Sequence, residues 1–584
     1  MKRNTGICLL LVAGLLIAAP AGAQRRKAAK KQPAKKEQKE KKPAKKTAVK
    51  QTPQRQPAET ARPVTGGNDT TLRSTTFEVE QIYKPEIKPS PKPELTPSMP
   101  PAEAARIQQQ YEVPQQALYY TYRSLPVRPL ALGKDTAKPA PANYIKAGGG
   151  NLSTFYADLG IGGLKGDNWE SAVNAHHISQ NGDILGQKFW HTGLDASGTL
   201  HANGHAWMLG LEGNYRRYGL YGYDHDLYKY DESSLKLNYA DAAIRFGVKN
   251  EQEGIWGIDY APTVNVAFNA GTLIDWERTI GINAPFSKKI DENLAVSLGI
   301  NAAFTHTKAD TFSQENNIFQ LAPALSYTKE RFSGRLGLSP TFGMNGNSYL
   351  LPDITARYLI SDRFKVKAGW KANLIQNTFQ QMYLKNPFLS GAQHMEQTRN
   401  DEVFGGFEAG IGKHLSFDAQ VSWWQYNNLA VFRTAPIADG KSFIVNYDPQ
   451  VNAISLQAAL RYQVANTFSA GFSGAWYGFY NSKNDKVWQE PAIRLKGDVQ
   501  WQILKELNIN AYLLVLDEIY APNTIGSNTK LNGVADLGIG AEYQLVKQLS
   551  LWINTGNLLN RENERWLGYQ GYGINVYGGL RFRF

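Results

Sequence analysis

From about Asn151 to Phe584 the chain alternates apolar and polar side chains with a period of two, run after run, over most of its length. That period belongs to β-strands with two different faces. Along Asn293–Thr305 one face reads Leu294, Val296, Leu298, Ile300, Ala302, Phe304 and the other Ala295, Ser297, Gly299, Asn301, Ala303, Thr305. Leu415, Phe417, Ala419, Val421 and Trp423 alternate with Ser416, Asp418, Gln420, Ser422 and Trp424. The sequence stops inside such a strand, "GYGINVYGGLRFRF". One row there is Ile574, Val576, Gly578, Leu580, Phe582, Phe584, and the other is Asn575, Tyr577, Gly579, Arg581, Arg583.

Long strands with an apolar face and a polar face rich in Asp, Glu, Gln and Gly fit a transmembrane β-barrel. In lipid every backbone polar group needs a partner, so a sheet spans only if it closes. The terminal strand then pairs with the first. Ile574, Val576, Leu580, Phe582 and Phe584 are its barrel-closing, lipid-facing residues, and Arg581 and Arg583 face the lumen. The 30 Tyr, 24 Phe and 13 Trp supply interfacial girdles. Short turns such as "TKERFSG", "GKHLSFD" and "QVANTFSA" alternate with longer connections such as "GYDHDLYKYDESS", "KNPFLSGAQHMEQTRND" and "NRENERWLGYQG". The expected fold is therefore all-β, a transmembrane antiparallel up-and-down barrel over 151–584, with two unlike ends. Counting back from Phe584 gives about 20–22 strands. The count is 20 if Leu152–Gly162 lies outside the wall and 22 if Tyr111–Tyr122 joins it; 22 is preferred.

The rest of the chain is different. Lys2 and Arg3, then "ICLLLVAGLLIAAP" and Ala21-Gly22-Ala23, describe a signal peptide over 1–23. The single cysteine, Cys8, lies inside it without a lipoprotein box, so no disulfide or thiolate metal site is expected in the mature protein. Residues 24–50 carry thirteen Lys or Arg against Glu37 and Glu40, which with Lys2 and Arg3 accounts for the whole net charge of +13. The basic segment, with Lys35, Lys36, Lys41, Lys42, Lys45 and Lys46, reads as a disordered periplasmic tether over 24–62. It suits cell-wall or other anionic-surface contact. Export argues against nucleic acid. Seventeen of the 28 prolines fall between 24 and 150, so 63–150 reads as an extended segment that binds a partner or occupies the lumen. Within it Thr76, Phe77, Glu78, Val79 and Glu80 form a candidate partner strand.

"LWINTGNLLNRENERWLGYQGYGINVYGGLRFRF" resembles the last two strands of the TonB-dependent outer-membrane receptors, through Asn557-Leu558-Leu559-Asn560-Arg561 and the glycine-bearing strand ending in an aromatic. The resemblance implies a Gram-negative outer-membrane barrel inserted by the barrel insertion machinery. Those receptors carry a folded plug before the barrel, and residues 24–150 are too rich in Pro and Lys for one.

His176, His177, His191, His201, His205 and His225 cluster in sequence. Adjacent His176 and His177 must face opposite sides of a strand, so one metal could not use both. No catalytic motif is present, and no cofactor, metal site or enzymatic activity is expected. The tyrosine-rich "RRYGLYGYDHDLYKY" and "WYGFY" read as interfacial girdle first and as sugar-stacking platforms second. A wide barrel needs something to fill it. The favoured reading is a structural or assembly subunit of an envelope complex, outer-membrane lipid around it and its N-terminal arm reaching periplasmic or outer-membrane partners. The alternative is a receptor or uptake transporter with a reduced plug, and an outer-membrane enzyme ranks third.

Overall fold

The computed structural model describes residues 143–584, apart from 253, 255, 437, 438 and 523–526. The signal peptide, the tether, Thr76–Glu80 and Tyr111–Tyr122 lie outside the described residues.

The described chain is a closed antiparallel barrel of 22 strands. Ile258–Tyr260 and Thr263–Gly271 are two halves of one wall strand interrupted at Pro262, both pairing with Trp276–Lys289. Proline has no N–H to give the ladder, so the strand breaks there. Closure is made by Asn143–Gly150, which pairs with Phe155–Lys165 on one side and with the last strand, Asn575–Arg583, on the other. The wall thus starts at Asn143, ahead of the expected boundary at 151. The strand that completes the count is Asn143–Gly150 rather than Tyr111–Tyr122, and the run from Leu152 to Gly162 enters the wall as Phe155–Lys165. The physical reason is glycine. Gly148, Gly149 and Gly150 carry no side chain, so they erase the alternation by which a strand is recognised. They are needed where they stand: a Cβ on Gly148 would meet the Gly578 carbonyl oxygen at 2.2 Å and the Trp552 ring at 2.7 Å.

The outer surface is apolar. Leu298, Phe304, Leu336, Val421 and Ile539 are exposed there. Outward aromatics gather near the short turns, among them Tyr327, Phe332, Tyr358, Tyr462 and Trp501, with a second group higher up at Phe342, Trp370, Trp423 and Trp476. On the last strand Ile574, Leu580, Phe582 and Phe584 are exposed on the outside and Val576 shares their row, half-buried. Arg581 and Arg583 turn inward onto Glu542, and Tyr577 packs inside against Tyr156 and Trp552.

The two ends differ as the alternation of turn lengths implies. Both ends of the wall, Asn143 and Phe584, meet at the end with short turns, where the Phe584 amide donates to the Asn143 carbonyl at 3.2 Å. The connections spanning 220–235, 377–396, 481–492, 518–533 and 557–574 all emerge at the other end.

A capped mouth as the candidate functional site

The long connections fold over and into the barrel mouth and pack on each other. Leu220, Tyr223, Phe388, Leu389, Phe443 and Trp566, drawn from several connections and strand tops, belong to one buried apolar cluster. Each such side chain contributes about 1.5–3 kcal/mol when fully buried, against about 0–1 for an exposed ion pair. Apolar packing therefore holds this cap, and the polar contacts orient it.

The element that reaches deepest is a short helix, Phe379–Lys385. Thr378 caps it, its hydroxyl oxygen accepting from the Gln381 amide at 3.2 Å. Phe379, Met382 and Tyr383 form its buried face, at the spacing a helix needs to present one stripe. Three inward wall residues receive it. Glu277, fully buried, accepts from the amides of Phe379 (2.8 Å) and Gln380 (3.0 Å) and from the Thr307 hydroxyl (2.8 Å). Tyr239 stacks on Tyr383 with ring centroids 4.1 Å apart and donates its hydroxyl to the Pro387 carbonyl at 2.7 Å. Asp241 accepts from the Tyr383 hydroxyl at 3.1 Å and pairs with Arg216. A buried carboxylate is tolerable only when its lone pairs are used, and Glu277 meets that condition solely with the helix in place.

Ion pairs and hydrogen bonds tie one connection to this helix and the others to one another or within themselves. Glu490 lies 3.0 Å from Lys385 and 2.6 Å from Arg494. Burial would push its carboxyl up, but the cations of Lys385, Arg494 and Arg565 outweigh burial and hold it at about 2. Arg565 donates to the Gln489 carbonyl at 2.6 Å and lies over the Trp566 ring. Tyr230 donates to Asp439 at 2.6 Å, and Lys441 pairs with the same carboxylate. The last connection is pinned by Asn557, whose amide donates to the carbonyls of Arg561 and Tyr572, both at 2.9 Å.

Two chambers open inside the barrel, one against the cap and one in the lumen toward the short turns. One, about 330 Å³, is lined by Tyr221, Tyr512, Asp536, Arg565, Tyr572 and Asn575. The Asn575 side-chain oxygen is buried there without a partner, an acceptor open to a donor from a ligand or water. The second, about 800 Å³, lies in the lumen against Asn301, Gln320, Lys371 and the Arg335–Asp353 pair, whose atoms are 2.6 Å apart. Chambers of this size with convergent polar groups are the usual form of a small-molecule site.

The histidines do not assemble a metal centre. His176 and His191 face each other inside at 3.3 Å, while His177 sits against Trp190 and Thr192 on the other face. His201 contacts Glu251, His205 contacts Tyr260, and His225 contacts the Tyr221 carbonyl. Among the described residues no three His, Cys, Asp or Glu side chains group as ligands. The tyrosines of Arg216–Tyr230 were expected in the girdle. Instead Tyr218, Tyr221, Tyr223, Tyr228 and Tyr230 are built into the cap or packed against it, because this connection folds inward rather than standing in the interface. Trp476 and Tyr480 do face outward, and Tyr480 accepts from the Trp423 indole at 2.8 Å. The cap itself was missed. Its only sequence trace is Phe379, Met382 and Tyr383 at helical spacing after Thr378.

No protein-family model matches the chain, and no curated protein matches it. Solved structures do. The barrel resembles the FrpB iron transporter of Neisseria meningitidis, with a TM-score of 0.59 at 10% identity, over 76% of this chain and 81% of that one. It also resembles the siderophore receptor PirA of Acinetobacter baumannii (0.56; 10% identity; 76% and 80%). A third is the ferripyoverdine receptor of the outer membrane of Pseudomonas aeruginosa, bound to ferripyoverdine (0.56; 11%; 76% and 71%). At 10–11% identity the likeness is one of fold: a large closed antiparallel outer-membrane β-barrel. The favoured expectation of a structural or assembly subunit is thereby corrected: the structures this barrel resembles are receptors and a transporter. Part of the mouth of that wide lumen is occupied by the chain's own connections.

Proposed function

We propose that this protein is an outer-membrane uptake receptor that captures a small ligand at its capped mouth and passes it into the lumen. The observation that carries the reading is the cap: a packed, aromatic lid anchored on inward wall residues, with a ligand-sized chamber against it and a larger polar one below in the lumen. A structural barrel has no use for such chambers, and an open pore would have no lid. The iron and siderophore cargo of the resembling proteins makes ferric siderophores the first ligand class to test. The protein acts without catalysing a reaction on its ligand. In this reading the short-turn end is periplasmic, as short turns are in such barrels, and the N-terminal arm extends there. Residues 24–50 contact the cell wall or another anionic surface, Thr76–Glu80 pairs with a periplasmic or outer-membrane partner, and Phe584 is read by the insertion machinery.

The test is uptake of radio-iron carried by ferric enterobactin or ferripyoverdine in cells with and without the gene. A deletion that lowers uptake of at least one of them, restored by the full chain but not by a chain lacking 378–395, is the expected result. Unchanged uptake of both, together with no binding of either by purified protein, would overturn the siderophore assignment.

A further inference from the structure

The wall has a window. The strands Ser348–Ser361 and Phe364–Gln376 pair only from Asp353↔Lys371 down to the turn. Above that point Ser348–Pro352 stays with Leu338–Phe342 on one side, while Ala372–Gln376 leaves with Gln397–Asp401 on the other. The parting has a cause inside the barrel. Gln376 donates to the Ala303 carbonyl at 3.2 Å and to the Asn316 carbonyl, and Gln397 donates to Asn316 at 2.7 Å and Asn317 at 2.9 Å. These bonds draw the tops of two strands inward. The window is closed above where the Met344 amide donates to Gln397 at 3.1 Å.

A cleft of about 940 Å³ fills the opening on the outer side. Its lower part is apolar: Trp370, Val403 and Trp423 are 46%, 44% and 38% exposed on the lipid-facing surface. Its upper part is amide: Asn345, Asn347, Gln425 and Asn427 line it, and among the described residues none of these four side chains has a hydrogen-bond partner. The one cation lining it, Arg399, is paired with Asp401 through two contacts of 2.8 Å. The cleft thus stands at the upper aromatic group, with apolar surface below and free amides above.

We propose that this cleft binds the neutral sugar headgroup of an outer-leaflet glycolipid, its acyl chains lying on Trp370, Val403 and Trp423. Free amides donate and accept at once, which matches vicinal hydroxyls. Arg399 is neutralised by Asp401, so the cleft presents no net positive charge to attract a phosphate. The continuity of the apolar surface with the amides selects a lipid-borne sugar over a free one. The site is separate from the capped mouth and does not depend on the uptake reading.

The experiment uses the full chain in phosphatidylcholine nanodiscs containing monoglucosyl diacylglycerol, with retained lipid measured by native mass spectrometry. One glucolipid adduct should persist, and Gln425→Leu combined with Asn427→Leu should lower its occupancy about tenfold, the loss expected for roughly one to two hydrogen bonds. Trp476→Leu, outside the cleft, should leave it unchanged. Asn347→Ala, in a connection rather than a strand, repeats the test if the double variant does not insert. The proposal fails if no adduct persists, if the cleft variants retain it, or if phosphatidylglycerol is kept in preference. It also fails if free methyl glucoside displaces the adduct at concentrations where it competes with no other lipid, since the site would then be a soluble-sugar site.

Discussion

The two ends of this barrel solve the same problem, an interior that must not leak, with opposite chemistry. Toward the short turns the inner wall is charged and paired: Arg581 and Arg583 on Glu542, Lys367 on Asp418, Arg461 near Asp498. Toward the long connections it is dry: Leu389 and Phe443 are completely buried and Phe432 is 1% exposed. A wall of paired charges keeps its groups solvated and can line water. A dry cluster excludes water and closes a path. The difference teaches that the seal is built at the loop end and that the turn end is a wetted vestibule.

The sharpest way to break that contrast is electrical. Replacing 378–395 by a short Gly-Ser linker removes the helix and leaves Glu277 with the Thr307 hydroxyl as its one remaining donor, so the protein in planar bilayers should pass from silent to steadily conducting. Deleting Arg62–Pro141 should leave it silent, because the lid remains. The reverse outcome would move the seal from the mouth to the segment before the barrel.

A smaller effect tests how the lid is held. Phe379→Ala removes a fully buried ring and should cost about 3–5 kcal/mol of lid stability, read as proteolytic cleavage within 377–396 while the wall stays intact. Leu298→Arg on the outside should cost about 2–4 kcal/mol of whole-barrel stability. Ser297→Arg, one residue away on the lumen side, should cost less, although Ser297 accepts from Arg335 at 3.1 Å and a second cation there will be felt. Equal costs at 297 and 298 would mean that the face assignment fails.

What could be read from the sequence follows the same divide. Leu298 and Ser297, or Val421 and Gln420, announce their faces because lipid on one side and water on the other enforce a period of two. The first strand escaped because three of its residues are glycines, needed for close approach to Gly578 and Trp552 but silent as pattern. The cap escaped for a different reason. Its packing joins residues far apart in sequence, Tyr239 with Pro387 and Lys441 with Tyr569, and such a core has no local period. The wall window was invisible too, since it depends on Gln376 and Gln397 reaching Asn316 across the lumen.

Acid should separate the ends more gently. The Glu490 carboxyl is lowered in the folded lid to about 2 from an ordinary value of 4.5. A depressed acid contributes stability that is complete above its unfolded value and is lost as pH falls through its folded one. Lid protection from protease should therefore be flat from neutral pH to about 4.5 and fall between there and about 2. Glu490→Gln should abolish that acid-dependent step. A lid that loosens instead near pH 6 would point to a histidine rather than Glu490.

The smallest expected effect lies at the turn end, on Arg583. Its guanidinium shares Glu542 with Arg581, which stays 3.2 Å from the same carboxylate when Arg583 is removed. The pair is one-fifth exposed to a charged, wetted wall, so solvent and the remaining arginine both compensate. Arg583→Ala should cost no more than about 1 kcal/mol in barrel melting and leave conductance and lid protection unchanged. Removing the neighbouring Phe584, outward and 59% exposed, should instead reduce the amount of barrel inserted in the membrane without changing the melting of what is inserted. Should Arg583→Ala open a conducting path, the charged vestibule would be part of the seal and the contrast between the two ends would collapse.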